Sequence, residues 1–417
     1  MRLCLVLSVL SVVLAPAWAS NAQSSALSGC VERLRQTIEL DNLPPGPLTL
    51  KRVVCHPWRS SHYSWTSQEV SPDGKSVAAY GSRVGLVVAP MAEAGAPQTI
   101  PVELGPSGWG LSMNPRGALK WDANSKSLWT ARQDRAKPAG WATSPMRPVK
   151  ATPTAVLQEL APLRHPAGPL DALWWIDGRG LALAQFGTRG FLYRPEHDDP
   201  SPTVAFIDAS KGRVLDTLRL DQVDPSDGKR GTRPLLKAVA STVLPNGKPR
   251  VFLSLRKWVI WTAGLPARTL DDPYQGTQRA TWFALSPDGS KLLVSLALPT
   301  TTVCPRIPPC TRGPMVRGPV AALHDLRNGR VLWTVEAEDD WGSAPAAPAV
   351  SPDGKIAMVG LPPRQGEPNL AVVSMKDGRV LQRIRANSDR RAAYGFSADG
   401  RTAWVALEST AVFFDVR

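Results

Sequence analysis

The chain has 417 residues and a formal net charge of +14, with 40 prolines, 33 glycines and 15 tryptophans. Because the prolines and glycines are spread along the chain and form no linker, we expect one large unit and not a string of small domains. The basic residues form neither a run nor a stripe interleaved with aromatic residues, which argues against nucleic-acid binding and favours solubility with some bias toward anionic partners.

The first residues have the pattern of an export signal. Arg2 precedes an apolar run over residues 3–15, and the sequence Ala17-Trp18-Ala19 forms a small-x-small cleavage site. The run is shorter than the ~20 apolar residues of a membrane-spanning helix. The residue after the cut would be Ser20 and not cysteine, so no lipid anchor is expected. We therefore predict a signal peptide over residues 1–19, a periplasmic or secreted product and no transmembrane segment.

Removing the signal peptide leaves an even number of cysteines in a compartment that permits disulfides. Three pairings are formally open among Cys30, Cys55, Cys304 and Cys310. The short spacing of Cys304 and Cys310 favours a local bridge, which leaves Cys30 with Cys55. The alternative is four free, buried thiols.

The stretch before the first repeat contains apolar residues at helical spacing: Leu27, Cys30, Val31, Leu34 and Ile38. We predict a short helix and linker over residues 20–45, followed by one domain over residues 46–417.

A turn motif then recurs along the rest of the chain. Four close copies begin at Ser71, Ser286, Ser351 and Ser397 and follow the pattern Ser-Pro/Ala-Asp-Gly; three degenerate copies lie at residues 121–126, 176–179 and 244–248. Their glycine positions are spaced by about 54 residues on average, slightly more than the ~40 to 50 residues of one propeller blade. Proline fixes φ at the first corner, aspartate bonds its own backbone, and glycine adopts the positive φ that closes the turn.

A second hairpin follows the motif in three repeats, closed by Gly212-Arg213, Gly329-Arg330 and Gly378-Arg379. Each repeat thus contains four short strands in a meander. The predicted fold is all-β: a seven-bladed β-propeller of four-stranded antiparallel blades.

In its turn motif the chain resembles the WD-repeat-like propellers of the bacterial periplasm, including the propeller half of TolB-like proteins. The resemblance covers residues 64–417 and implies an architecture, not an activity. The segment before the first repeat is too short for the separate amino-terminal domain of TolB-like proteins, so their role in envelope integrity is not implied.

The last repeat lacks a fourth strand. After the turn at Gly400 the chain has room for strands over residues 402–406 and 410–416 and then ends. An open edge would leave backbone groups unpaired. We predict that residues 48–54, which alternate between apolar and polar side chains, close the last blade.

Three long insertions are predicted on one face of the ring, where propellers usually bind their ligands. Residues 187–202 and 299–319 join second to third strands, and residues 221–234 link two blades. Their arginines can bind carboxylates or phosphates with two hydrogen bonds. The candidate ligand-binding residues are Arg189, Arg194, His197, Asp199, Lys229, Arg230, Arg306, Arg312 and Arg317, with Tyr193, Asp198, Asp224, Asp227 and Arg233 nearby. The alternative is an ordinary solvated loop surface.

No metal site or catalytic residue is predicted. His197-Asp198-Asp199 and the pair Asp224 and Asp227 supply too few ligands for calcium or zinc. The motifs of serine hydrolases, zinc proteases and dinucleotide-binding folds do not occur. Ser226 and Lys229 match Ser-x-x-Lys, but in a turn.

The best enzyme alternative comes from residues 325–333, which resemble the tryptophan-docking repeat of quinone-dependent propeller dehydrogenases. That family repeats the tryptophan, whereas Asp216 and Gln382 occupy the positions equivalent to Trp333. We therefore interpret Trp333 as inter-blade packing. The sequence favours an exported, monomeric, non-catalytic propeller without a cofactor, which binds a protein, a peptide or an anionic envelope ligand; the alternative is a propeller enzyme, either quinone-dependent or a hydrolase.

Overall fold

The structure is a computed structural model. It describes residues 43–55, 65–81, 85–90, 98–100, 119–133, 146–151, 157–160, 163, 165–168, 170–186, 203–225, 236, 238–274, 279–297, 302–303, 311–312, 318–336, 347–361, 369–385, 393–407 and 410–417.

The strands form seven four-stranded antiparallel sheets, the blades of a propeller. A first strand, β1 (Leu48–Cys55), precedes blade 1. Blades 1 to 3 contain β2 (Trp65–Val70), β3 (Ser76–Gly81), β4 (Gly85–Pro90) and β5 (Gln98–Ile100); β6 (Lys120–Trp121), β7 (Leu128–Gln133), β8 (Met146–Ala151) and β9 (Leu157–Glu159); and β10 (Leu170–Trp175), β11 (Leu181–Phe186), β12 (Thr203–Asp208) and β13 (Arg213–Arg219).

A one-turn helix, α1 (Leu220–Val223), follows blade 3. Blades 4 and 5 contain β14 (Ala238–Val243), β15 (Pro249–Ser254), β16 (Lys257–Thr262) and β17 (Arg268–Asp271), and β18 (Arg279–Leu285), β19 (Lys291–Ala297), β22 (Pro319–Asp325) and β23 (Val331–Glu336). A small hairpin, β20 (Thr302–Val303) with β21 (Thr311–Arg312), projects from blade 5. Blade 6 contains β24 (Ala349–Val350), β25 (Ile356–Gly360), β26 (Leu370–Ser374) and β27 (Val380–Ile384), and blade 7 contains β28 (Ala393–Phe396), β29 (Thr402–Leu407) and β30 (Thr410–Val416) together with β1.

The ring is held together by apolar packing between neighbouring blades. Seven buried clusters each draw side chains from two adjacent blades. Phe206 of blade 3, for example, stacks on Trp261 of blade 4 with ring centroids 4.2 Å apart. The cluster that contains Val77, Trp404 and Phe413 joins blade 7 to blade 1, so the ring closes. In four pairs of neighbouring blades the first strands contact one another, namely β2 with β6, β14 with β18, β18 with β24 and β24 with β28. The first strand is therefore innermost and the fourth lies at the rim.

The recurring turn works through its serine and aspartate. In blade 1 the Ser71 hydroxyl donates to the Asp73 carboxylate at 2.6 Å and accepts from the backbone N–H of Ser76 at 2.9 Å. The Gly74 N–H donates to the Ser71 carbonyl at 2.8 Å, and Gly74 adopts φ +67°. The turns at Ser286, Ser351 and Ser397 repeat this network. The polar groups of this turn thus bond to one another within the hairpin, and the turn fixes the register of the first two strands in these four blades.

The degenerate copy in blade 3 differs from the prediction. We expected Gly178 to adopt the positive φ, but Gly180 does so, at φ +91°. Gly178 is needed for a different reason: a Cβ there would lie 2.4 Å from the Trp121 carbonyl oxygen of blade 2. In blade 2, Ser125 takes the glycine position and adopts φ +60°.

The closing strand is confirmed. β1 pairs antiparallel with β30 from Leu48 opposite Val416 to Cys55 opposite Thr410, with an irregularity between Leu50 and Arg52. Leu48 is buried in the cluster between blades 6 and 7. The predicted signal peptide, amino-terminal helix and cysteine Cys30 lie outside the described residues.

A side chain on the outer strand links each of blades 3 to 6 to the next blade. Asp216 accepts from the Gly264 N–H at 2.8 Å, Arg268 donates to the Arg327 carbonyl at 3.2 Å, and Trp333 donates to the Met375 carbonyl at 3.3 Å. In blade 6, Gln382 binds Leu48 N–H at 2.9 Å, Leu48 C=O at 3.0 Å and Pro44 C=O at 2.8 Å. Trp333 thus performs a linking role that other residue types perform in other blades.

Candidate functional site

The two faces of the ring are built from different connections. In blades 3 to 6 the first-to-second and third-to-fourth connections are short turns, for example residues 244–248 and 263–267, and we call their side of the ring the turn face. The opposite side carries the second-to-third connections and the links between blades, and we call it the loop face. The strands that flank residues 187–202 and 298–318 end and begin on this side of the ring. Residues 187–202 and most of 298–318 lie outside the described residues.

The loop face has a charged depression of about 340 Å³ beside blade 4, lined by Asp224, Pro225, Arg256, Lys257, Asp271 and Asp272. Three separate pieces of chain supply these residues. Asp224 and Pro225 follow α1, Arg256 lies in the tight connection from β15 to β16, Lys257 begins β16, and Asp271 ends β17. Small-molecule pockets are mostly apolar. A depression with this lining suits a charged group of a larger ligand.

Arg256 and Asp224 form the rigid wall of the charged depression. The buried Asp224 carboxylate accepts from the Arg256 backbone N–H at 3.0 Å and from Nε at 3.0 Å. The Arg256 guanidinium also donates to the carbonyl oxygens of Asp224 and Pro225. Breaking such a pair would leave a buried charge without its partner. We conclude that Asp224, which we grouped with the ligand-binding loops, has a structural role.

The remaining charges of the charged depression form no ion pair with another described residue. Lys257 and Asp271 face each other across β16 and β17 and are both exposed. The half-buried Asp272 accepts from the Tyr274 backbone N–H at 2.9 Å. One ammonium and two carboxylates therefore surround the opening, and a complementary ligand would present a cationic group together with an anionic one.

A buried aromatic pair lies close to this site. The Tyr274 hydroxyl and His324 Nε2 are 2.6 Å apart, and His324 Nδ1 is 3.0 Å from the Gly329 carbonyl oxygen. Because a carbonyl can only accept, Nδ1 carries the proton and Nε2 accepts from Tyr274. Burial lowers the pKa of His324 and raises the pKa of Tyr274. Both groups are neutral and enclosed, so the pair stabilises the junction of blades 4 and 5.

Most sequence-predicted site residues lie outside the described residues. These are Arg189, Arg194, His197, Asp199, Lys229, Arg230, Arg306 and Arg317. Arg312 belongs to β21, opposite Thr302. Cys304 and Cys310 also lie outside the described residues, in the segment between β20 and β21, and Cys55 ends β1. The predicted cluster and both disulfides stay predictions.

Sequence analysis missed Lys257, Asp271 and Asp272. No pattern marks them, because a tight strand connection and the end of an outer strand look like ordinary polar surface until the blade is folded. Within the described ranges, no group of three or more histidine, cysteine, aspartate or glutamate side chains could hold a metal ion. In the same ranges, no helix has the length and apolar character that crossing a bilayer requires.

No model of a known protein family matches this chain, and no curated protein matches it. What the structure shows is therefore a seven-bladed propeller architecture, and the candidate site rests on geometry alone.

Proposed function

We propose that the chain is an exported, non-catalytic propeller that binds a protein or peptide on its loop face. The observation that carries this proposal is the contrast between the faces. In blades 3 to 6 short, internally hydrogen-bonded turns occupy one face, whereas the long sequences between β11 and β12 and between β19 and β22 leave from the other face, which also has the charged depression. Binding residues on such propellers lie on variable connections that a rigid ring positions.

The charges of the loop face favour a ligand with both signs. Asp271 and Asp272 border the charged depression, while Arg306, Arg312 and Arg317 belong to the neighbouring blade-5 insertion. Carboxylates bind the amino groups of a partner, and arginines bind its carboxylates with paired hydrogen bonds. Proteins and peptides carry both kinds of group, which is why we favour them over a pure polyanion.

The test compares two variants that remove equal charge from opposite faces. The loop-face variant carries Lys257→Gln, Arg306→Gln, Arg312→Gln and Arg317→Gln. The turn-face variant carries Lys126→Gln, Lys248→Gln, Lys376→Gln and Arg401→Gln. Each is immobilised beside the wild type, exposed to envelope proteins of the producing cell, and its bound proteins are quantified by mass spectrometry.

We expect a defined set of proteins to be recovered by the wild type and the turn-face variant and lost by the loop-face variant. Equal recovery by all three would rule out the loop face as the binding surface. Loss by the turn-face variant alone would show that the proteins bind the turn face, which would contradict the proposal.

A further inference from the structure

Basic residues that are dispersed in the sequence are collected on the turn face. The residue after the glycine position of the first turn is basic and exposed in every blade except blade 5, namely Lys75, Lys126, Arg179, Lys248, Lys355 and Arg401. The third-to-fourth connections add Lys211, Arg213, Arg268, Arg327, Arg330, Lys376 and Arg379, all exposed. Since first strands are innermost and fourth strands outermost, the first set forms an inner ring over six blades and the second set an outer arc over blades 3 to 6.

Two acidic residues of this face are much less exposed than the basic residues they pair with. In the pair Lys211 and Asp208, the side chains are 69% and 18% exposed, and in the pair Arg327 and Asp325 they are 83% and 11% exposed. The turn aspartates accept backbone N–H groups, as Asp399 does from Arg401 at 3.0 Å. Five of these aspartates are exposed as well: Asp73, Asp288, Asp353, Asp377 and Asp399. The thirteen exposed basic residues named above outnumber the five exposed turn aspartates, so the described part of the turn face is net positive.

Exposed apolar side chains lie at the rim of the same face. Leu265, in the turn between β16 and β17, is 50% exposed, and Val331 and Leu332, at the start of β23, are 40% and 44% exposed. Arg268 connects these two places through its bonds to the carbonyl oxygens of Leu326 and Arg327. The rim at blades 4 and 5 thus combines leucine, valine and arginine side chains.

We propose that the turn face docks onto an anionic lipid surface. A leaflet rich in anionic lipids presents a broad negative surface, which matches the net positive turn face, and each lysine or arginine near such a leaflet strengthens attachment. Leu265, Val331 and Leu332 would enter the interfacial layer. A nucleic acid matches less well, because it requires a charged track or stacking aromatic side chains. Docking in this orientation would leave the loop face directed away from the membrane.

Vesicle sedimentation with the full mature chain tests the proposal. The vesicles contain phosphatidylcholine alone or phosphatidylcholine with phosphatidylglycerol, and salt is varied. We expect binding only to the anionic vesicles, with loss at high salt because the charges are exposed. The turn-face variant should bind at least about tenfold more weakly than the wild type, while the loop-face variant, which loses the same charge, should bind as the wild type does.

The four substituted side chains of the turn-face variant are exposed, so we expect its melting temperature to be unchanged, and this is measured first. Equal weakening of both variants would show a net-charge effect and overturn the assigned surface. Binding to neutral vesicles, or retention by a DNA duplex without binding to anionic vesicles, would also overturn the proposal.

Discussion

The Tyr274 and His324 side chains share a hydrogen bond of 2.6 Å between blades 4 and 5. Trp258 packs edge-on against the His324 ring, with centroids 4.9 Å apart. Burial lowers the pKa of His324, although the Gly329 carbonyl and the charge of Asp272 act in the opposite direction. The folded state therefore prefers the neutral imidazole. Protonation of Nε2 would force the Tyr274 hydroxyl to accept instead of donate and would bury a cation away from water.

This arrangement predicts a loss of stability in mild acid. The unfolded chain takes up a proton on His324 near the ordinary pKa of ~6.5, whereas the folded chain resists it, so stability is complete above that pH and decreases below it. One such group contributes up to about 1.4 kcal/mol per pH unit. We expect the melting temperature of the wild type, followed by circular dichroism, to decrease as the pH is lowered from about 7.5 to about 5.5.

The control is His324→Gln, which cannot titrate. Its melting temperature should depend less on pH over the same interval, with the remainder reflecting groups such as His165, whose pKa is also lowered by burial. Identical pH dependence in the two proteins would show that His324 does not govern the acid response.

Strand β1 completes blade 7 from the opposite end of the chain. β1 pairs with β30 at seven positions. Without β1, β30 would be an open sheet edge in the last blade. Gln382 of blade 6 holds the entry to the strand through both backbone groups of Leu48. Losing the strand would therefore destabilise both blade 6 and blade 7.

Deleting residues through Cys55 should cause unfolding or aggregation, measured by thermal melting and light scattering. A matched pair of point variants shows whether the loss of a buried side chain, and not any substitution in β1, destabilises the protein. Leu48 is buried and Leu50 is 39% exposed on the same strand, so Leu48→Asp should destabilise by more than about 4 kcal/mol and Leu50→Asp by less than about 0.5 kcal/mol. A deletion that melts at the wild-type temperature would contradict the closing role of β1.

The repeated turn made the blades predictable, because proline, aspartate and glycine each have a fixed task in a tight hairpin. The missing fourth strand after Val416 made β1 predictable as well. The exchange of roles between Gly178 and Gly180 was not predictable, because the first glycine is required by contact with Trp121 of blade 2, and no local pattern encodes that contact. Sequence analysis flagged hairpins with Gly-Arg in three blades; the blade-4 hairpin uses Gly264 instead.

For the molecule as a whole, the main difference between sequence and structure concerns charge. The basic residues looked dispersed because consecutive turns are far apart in the chain. Folding places the described short turns on one side of the ring, so a repeat with a lysine or arginine after its glycine generates a charged face without any charged run. The same folding brings Lys257 and Asp271 together at the charged depression on the other side.

Lysine acetylation footprinting by mass spectrometry, with and without phosphatidylglycerol vesicles, tests directly whether the two faces have separate partners. Lys126, Lys248 and Lys376 on the turn face and Lys257 on the loop face are all exposed in the free protein. We expect vesicles to protect the first three lysines and to leave Lys257 as reactive as before. Protection of Lys257, or equal reactivity of all four lysines with and without vesicles, would contradict the division of the ring into a membrane-docking face and a ligand-binding face.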